Sequence, residues 1–380
     1  MKLAYVTEYD ARNVRMWSGT GYFIAESLSR QSIPLEYIGP LKEKLLWQLV
    51  RKYKRQYHAL FHKRYMKDPE PLTLKDFAQQ ISQKLSKLKT DIVFSATTNP
   101  IAYLECNQPI VFWADATFAN ILDFYPQYSN LCQETIRDWH RMEQLALEKS
   151  RLAIYSSDWA AQTAIDYYKA DAAKVKVVPF GANIHNEQSL HEVKDLIEAR
   201  PSDHCKILFL GVDWYRKGGD VALKVATELN KAGLRTELTV VGCQPVLDGP
   251  LPDFVKPLGF ISKATEQGKA KIYQLITESH FLILPSRADC TPIVFCEANS
   301  FGVPCLTTNV GGIPTIIRDD VNGKRFDLDV NIDEYCSYIF NLFEQYSDYK
   351  QLAISSFKEY ETRLNWTVAG KTIKDLLSAL

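Results

Sequence analysis

Short β-rich runs alternate with helical patterns along most of the chain, and near its middle the alternation restarts. No other feature constrains the fold as much. LAYV (3–6), LEYI (35–38), DIVFS (91–95), PIVFW (109–113), RLAIYSS (151–157) and KVKVVPFG (174–181) are short apolar runs with polar borders, as expected of buried strands. Phe23, Ile24, Ala25 and Leu28 share one helical face, and further helical patterns lie near 73–89, 130–149 and 158–169. The polar stretch 191–204 reads as a linker or a short helix. CKILFLGVDW (205–214) is then a new first strand. A helix through LKVATELNKAG, ELTVVG (237–242), HFLILPS (280–286), a helix near 292–301 and VPCLTT (303–308) complete a second unit. Such alternation predicts mostly parallel, doubly wound sheets. The expected fold class is therefore α/β, with two facing Rossmann-like domains and a cleft between them. The boundary falls near residue 182.

Composition narrows the function class. The chain has 380 residues, enough for more than one core. Hydrophobic residues make up 46% and charged residues 24%, which excludes a largely disordered chain. Lys plus Arg equals Asp plus Glu at 45 each, which argues against a nucleic-acid binder. The longest apolar runs, such as Phe281 to Leu284, are too short to cross a bilayer, and MKLAYVTEYD does not read as a secretory signal. Eight cysteines form no C-x-x-C pair and sit mostly in apolar stretches, as reduced thiols of a cytoplasmic protein would. The zero net charge hides an asymmetry. Residues 42–67 hold nine Lys or Arg against one acid, Glu43, a local +8 that the rest of the chain balances.

Four segments carry the candidate chemistry. In RADCTPIVFCEANSFGVP (287–304), Pro292 suits the first turn of a helix and Thr291 can cap it, so amides near 292–294 are expected to face an anion. Asp289 lies before that helix and Glu297 on it. Two carboxylates beside an anion site suit a ligand with phosphates in its middle and hydroxyls at both ends. A plain capped helix with surface acids is the other reading. In GVDWYRKGGD (211–220), Arg216 and Lys217 fall at the expected helix start, where cations are disfavoured unless an anionic ligand, or Asp213 and Asp220, answers them. Ser18-Gly19-Thr20-Gly21 lets backbone approach a phosphate or sugar, or simply makes a tight helix entry. It fails as a dinucleotide fingerprint, since Ile24 stands where the third glycine belongs. Asp115, just past the strand PIVFW, is placed to orient hydroxyls or move a proton, or to form an Asx turn. His58 and His62 read as a surface pair within the basic helix, with no nearby acid. Asp327-Leu328-Asp329 reads as a solvated loop after the turn-like VNGKRF. No metal site is expected.

Taken in order, these segments resemble the retaining family-4 glycosyltransferases, which have the GT-B fold. The family's E-x7-E motif corresponds to Asp289-x7-Glu297. The resemblance also includes LFLGVDWYRKGGD, LTVVGCQP, VKPLGFIS, GVPCLTTNVGGIP and VNGKRF. YSSDW and VKVVPFGANI resemble its last N-domain strand and interdomain entry, and NWTVAG its terminal helix. The implied domains are 1–182 on the acceptor side, 183–360 for the nucleotide sugar, and a helix over 361–380 that returns to the first domain. The resemblance implies that Glu297 binds the donor ribose and Asp289 the hydroxyls of the transferred sugar. It further implies that amides of Ile293 and Val294 hold the diphosphate with Arg216 and Lys217. Gly242 and the Phe260-Ile261 backbone would border the base, and Gly19 and Gly21 would close on the donor. Asp115 stands where the family often has His, Val212 where it has Arg, and Thr315 where it has Glu. The implied reaction is sugar transfer with retention from a nucleoside diphosphate sugar, foremost a UDP-sugar, to a hydroxyl of a glycan, lipid-linked or small-molecule acceptor. It needs no cofactor and no metal. A GT-B epimerase or hydrolase, which would consume donor without acceptor, and a non-catalytic nucleotide-sugar-binding partner remain the alternatives.

The basic block 42–67 is expected to be an amphipathic helix, since Leu46, Leu49, Val50, Tyr53, Tyr57, Leu60 and Phe61 recur at helical spacing. Three readings are open. It packs its apolar stripe on the N-terminal domain, or it lines the acceptor cleft, or it lies on an anionic membrane surface. The expected location is the cytoplasm, including the inner face of a membrane.

Overall fold

In the computed structural model, which describes residues 1–185 and 188–380, the chain divides into two units. One is Met1–Pro179 with Trp366–Leu380, the other Phe180–Asn365.

The first unit holds strands β1 (Leu3–Val6), β2 (Leu35–Ile38), β3 (Ile92–Ser95), β4 (Ile110–Ala114), β5 (Ser150–Tyr155) and β6 (Val175–Val177). They form one sheet in the order β2-β1-β3-β4-β5-β6, parallel throughout. Every residue of β1, β3 and β4 is buried. Helices on both faces of a parallel sheet require this, and it explains why these strands are continuous apolar runs. The helices are α1 (Thr20–Arg30), α2 (Leu45–Ala59), α3 (Pro71–Leu85), α4 (Phe118–Ile121), α5 (Gln133–Lys149) and α6 (Asp158–Asp166). The single turn α4 is fixed by a capping box, in which the Thr117 hydroxyl accepts from the Asn120 amide at 3.3 Å and Asn120 Oδ1 accepts from the Thr117 amide at 3.0 Å.

The second unit repeats the plan with β7 (Cys205–Leu210), β8 (Thr236–Val241), β9 (Val255–Gly259), β10 (Phe281–Leu284), β11 (Cys305–Thr308) and β12 (Gly323–Phe326). The order is β12-β11-β10-β7-β8-β9, again parallel. Its helices are α7 (Leu190–Glu198), α8 (Gly219–Lys231), α9 (Glu266–Glu278), α10 (Ile293–Asn299), α11 (Ile313–Ile316), α12 (Ile332–Glu344) and α13 (Tyr346–Arg363). Part of the polar stretch 191–204 is therefore helical. Ser189 and Glu192 form its capping box, and Val193 and Ile197 bury its apolar face. VNGKRF is not only a turn, because its last four residues pair with β11 as an edge strand.

The chain then returns to the first unit with α14 (Trp366–Ser378). This helix packs on α1. Trp366 stacks on Phe23 with ring centres 6.2 Å apart, and Lys374 donates to the Gln31 carbonyl at 3.0 Å. Gly370 permits the approach, since a Cβ there would lie 2.7 Å from the Ser27 carbonyl oxygen.

Helix α2 corrects the sequence reading most sharply. No residue of it is buried, and its apolar stripe faces outward. Leu45 and Tyr53 are each 71% exposed and Leu60, just beyond the helix, 77%; Leu46, Leu49, Tyr57 and Phe61 are exposed too. The side toward the unit is charged. Lys54 reaches Glu70 at 2.9 Å and Glu134 at 2.7 Å, and Arg51 pairs with Glu43. Burial alone would lower the Lys54 pKa, but hydrogen bonds to Glu134 and Glu70 carry it above the usual lysine value. His58 has an acid beside it after all, since its Nε2 lies 3.0 Å from Glu134. His62 falls outside the helix, with φ 54°.

Candidate functional site

Strand order in the second unit reverses between β7 and β10. Loops leaving the carboxyl ends of these two strands diverge, and ligands of doubly wound sheets bind in the crevice that results. The loop after β7 is Gly211–Gly218, and the loop after β10 is Pro285–Pro292.

Both loops are shaped by close backbone approach. Gly218 has φ 77°, and a Cβ there would lie 2.1 Å from the Pro285 carbonyl oxygen. Gly242 has φ 101° and would place a Cβ 2.5 Å from the Gly211 carbonyl oxygen. Glycine at 242 is thus demanded by packing at the ends of β7 and β8, independently of any ligand.

Side chains then cross-link the two loops. The Arg216 guanidinium donates to the Ala288 carbonyl at 3.0 Å, while its own amide donates to Asp213 Oδ1 at 2.9 Å. The Lys217 ammonium is hydrogen-bonded to Asp289 Oδ2, and both side chains are largely buried. Arg287 grips Asp220 through two bonds of 2.8 Å. So the cations at 216 and 217 are answered by Asp213 and Asp289, and Asp220 serves Arg287 instead. The two cations also sit in the loop ahead of α8, whose N-cap is Gly218.

Glu297 is fully buried on α10. Lys263 Nζ reaches its Oε1 at 2.5 Å, and its Oε2 has no hydrogen-bond partner among the described residues. A buried carboxylate oxygen with nothing to accept from is costly, and a hydroxyl donor would satisfy it. Lys263, in the loop after β9, is the residue that sequence reading missed. Only its place two residues beyond Phe260-Ile261 could have flagged it. Phe260 is 74% exposed in the same loop.

Two expectations for the α10 start need correction. Pro292, not Thr291, is the N-cap residue, and it makes no side-chain cap bond. The Thr291 hydroxyl donates backward to the Cys290 carbonyl at 2.8 Å. The Ile293 amide is bonded to the Thr291 carbonyl at 3.0 Å, so this N–H is not free for an anion as the loop stands.

Gly19, Gly21 and Asp115 belong to the first unit. Gly19 is the left-handed N-cap of α1, after Trp17 and Ser18 that also have positive φ. Gly21 lies against Tyr9, where packing again demands glycine. Asp115 is half-buried just past β4. Two carboxyls of the same unit are held toward the neutral form. Burial raises Glu143 to about 8 despite the Thr98 hydroxyl that donates to it at 3.0 Å. Burial and the Asp68 charge raise Glu8 to about 7. Asp327 and Asp329 are exposed beyond β12.

Comparison with known proteins agrees with this layout. Residues 192–358 match the family described as "Glycosyl transferases group 1". The chain is 25% identical over 191 residues to a D-inositol 3-phosphate glycosyltransferase of Acidothermus cellulolyticus, spanning 46% of this chain and 42% of that protein. The match thus covers less than half the length of that relative. Among solved structures, a sucrose-phosphate synthase from Thermosynechococcus elongatus superposes with TM-score 0.70 at 13% identity, covering 100% of this chain and 98% of that one. Anabaena HepE in complex with UDP superposes with TM-score 0.63 at 16% identity, covering 100% of both chains. The fold, two doubly wound parallel units, is therefore GT-B, and the segment 192–358 is supported as that of a group 1 glycosyl transferase.

Proposed function

We propose that the chain is a retaining glycosyltransferase that moves a sugar from a nucleoside diphosphate sugar to a hydroxyl acceptor. The observation that carries this reading is the site at the β7/β10 switch point, where Lys217 pairs with Asp289, Arg216 donates to the neighbouring Ala288 carbonyl, and Glu297 has a buried oxygen without a partner among the described residues. Similarity to HepE, whose structure contains UDP, favours a UDP-sugar as donor.

In this reading donor binding exchanges partners. Lys217 turns from Asp289 to the diphosphate, and Asp289 then accepts from hydroxyls of the transferred sugar. Glu297 Oε2 accepts from a ribose hydroxyl. Phe260, Ile261 and Gly242 border the base, and the Val294 amide adds to the two cations on the phosphates. The bond from the anomeric carbon to the phosphate oxygen breaks, and the bond to the acceptor oxygen forms on the same face. The acceptor proton passes to the leaving phosphate oxygen. Arg216 and Lys217 stabilise the charge that grows there. Asp115 is the proposed acceptor-side carboxylate. Turnover is expected to continue in excess EDTA.

A thermal-shift screen with UDP, GDP and ADP, and with their glucose conjugates, tests the reading. A shift with at least one diphosphate series is expected, and mass spectrometry with pooled sugar and lipid acceptors should then detect transfer. The absence of a shift with all three series would overturn it.

A further inference from the structure

Helix α2 shows an inverted arrangement that packing within the chain does not explain. Its charged residues Arg51, Lys54 and His58 are turned toward the unit, and Leu45, Leu46, Leu49, Tyr53 and Tyr57 are turned away. Leu60 and Phe61 continue the exposed stripe past the helix end. Soluble surfaces rarely leave a continuous apolar stripe of this kind uncovered.

The chemistry of the rim says what covers it. Lys52 and Arg55 are exposed beside the stripe and make no ion pair among the described residues. Lys42 is exposed at its start and Lys63 and Arg64 at its end, while Lys44, also exposed, is paired with the buried Asp76 on the inner side. The one acid of the block, Glu43, is taken by Arg51, and the acids that answer Lys54 and His58 lie on the inner side. The outward face therefore offers apolar depth and positive charge with no anion of its own. A second copy of this chain docking on the same face would bring like charges together. A surface that is negatively charged at its rim and apolar beneath satisfies both features, as an anionic bilayer does. Tyr53 and Tyr57 fit that boundary, with rings toward the acyl chains and hydroxyls toward the headgroups. The contact is interfacial, since no helix among the described residues is long and apolar enough to cross a membrane.

We propose that α2 and the turn after it dock the protein on an anionic lipid surface, with Leu45, Leu49, Tyr53 and Leu60 entering the interface and Lys52 and Arg55 meeting lipid headgroups. This goes beyond the sugar-transfer reading and does not depend on it.

Co-sedimentation with vesicles tests it without donor or acceptor present, so its failure would leave the donor site untouched. At low salt the protein should sediment with vesicles of phosphatidylcholine mixed with phosphatidylglycerol, and about tenfold less with phosphatidylcholine alone. Leu49→Glu combined with Tyr53→Glu should abolish binding while circular dichroism and melting stay as in the parent, because both residues are exposed. Lys52→Glu with Arg55→Glu should weaken binding and reduce its salt dependence. A Tyr53→Trp variant gives a second readout, a blue shift of emission on adding the anionic vesicles. No sedimentation with anionic vesicles at low salt would overturn the proposal, as would unchanged binding by the Leu49 and Tyr53 double variant. A lipid-free dimer that the same double variant splits would also overturn it, since a second copy would then cover the face.

Discussion

Lys217 and Asp289, 72 positions apart, are ion-paired where the loops after β7 and β10 meet. Each is largely buried, so neither is a surface ion pair of negligible worth. Removing the lysine strands a carboxylate in a dry place. Lys217→Ala should lower turnover at least about tenfold, or ~1.4 kcal/mol of transition-state stabilisation. It should also lower the melting temperature. Asp289→Asn should lose turnover as well and also lower the melting temperature, because the largely buried Lys217 ammonium is then left without its carboxylate. Steady-state transfer rates and melting curves check both; near-normal turnover in the two variants would end the site assignment.

The partners of Glu297 separate nucleoside from phosphate recognition. Its Oε2, without a partner among the described residues, is assigned to a ribose hydroxyl and the cations to the diphosphate. Glu297→Ala should therefore cut the thermal shift given by UDP but leave the shift given by inorganic pyrophosphate, and turnover should fall at least about tenfold. Lys217→Ala should weaken both shifts. Isothermal titration with the two ligands reads the difference, and equal loss for both in Glu297→Ala would contradict the assignment.

What the sequence disclosed depended on how completely each element was buried. Strands such as β3 and β10, covered on both faces, are unbroken apolar runs and were legible at once. The edge strands of the second unit were not. β9 carries exposed Lys256 and a proline, tolerated because an edge has one unpaired side, and β12 reads GKRF. Asp289, Arg216 and Lys217 were legible as a set, but their mutual pairing was not, since only the fold brings residue 217 to residue 289. Lys263 stayed hidden for the same reason. The periodicity of α2 correctly gave an apolar stripe, yet periodicity reports a face and not what covers it. Here the acids Glu70 and Glu134 draw the basic side inward.

His280 and Glu143 should give the two units opposite responses to pH. His280 Nδ1 accepts from the Lys206 amide at 2.9 Å, so its proton is on Nε2, which donates to the Pro201 carbonyl at 2.8 Å. Burial pushes its pKa down to about 3. Between about 6.5 and about 3 the unfolded chain binds this proton and the native one does not, so stability falls on acidification, by up to about 1.4 kcal/mol per pH unit. His280→Gln should flatten that slope. Glu143 is the reverse, raised by burial to about 8 from 4.5. Here the native chain keeps the proton that the unfolded one loses, so stability falls as pH rises through that window. Glu143→Gln should be more stable than the parent at about pH 7.5 and no more stable at about pH 5. Urea midpoints across the range check both signs.

Gly21 and Tyr9 supply a test of the loop that follows β1. A Cβ at position 21 would lie 2.2 Å from the Tyr9 hydroxyl oxygen and 3.1 Å from the ring carbons Cε2 and Cζ. That hydroxyl is buried and has no hydrogen-bond partner among the described residues. Gly21→Ala should therefore cost about 1–3 kcal/mol through overpacking, although alanine is otherwise the better residue within α1. Tyr9→Phe alone should be close to neutral, because it removes no bond. Combining them removes the severe clash and leaves contacts that small ring movements absorb. The double variant should recover most of the loss and could exceed the parent by up to about 1 kcal/mol from helix propensity. Urea unfolding of the four proteins gives the coupling directly. Additive effects, with the double variant as unstable as Gly21→Ala, would mean that Tyr9 does not hold the position seen against α1.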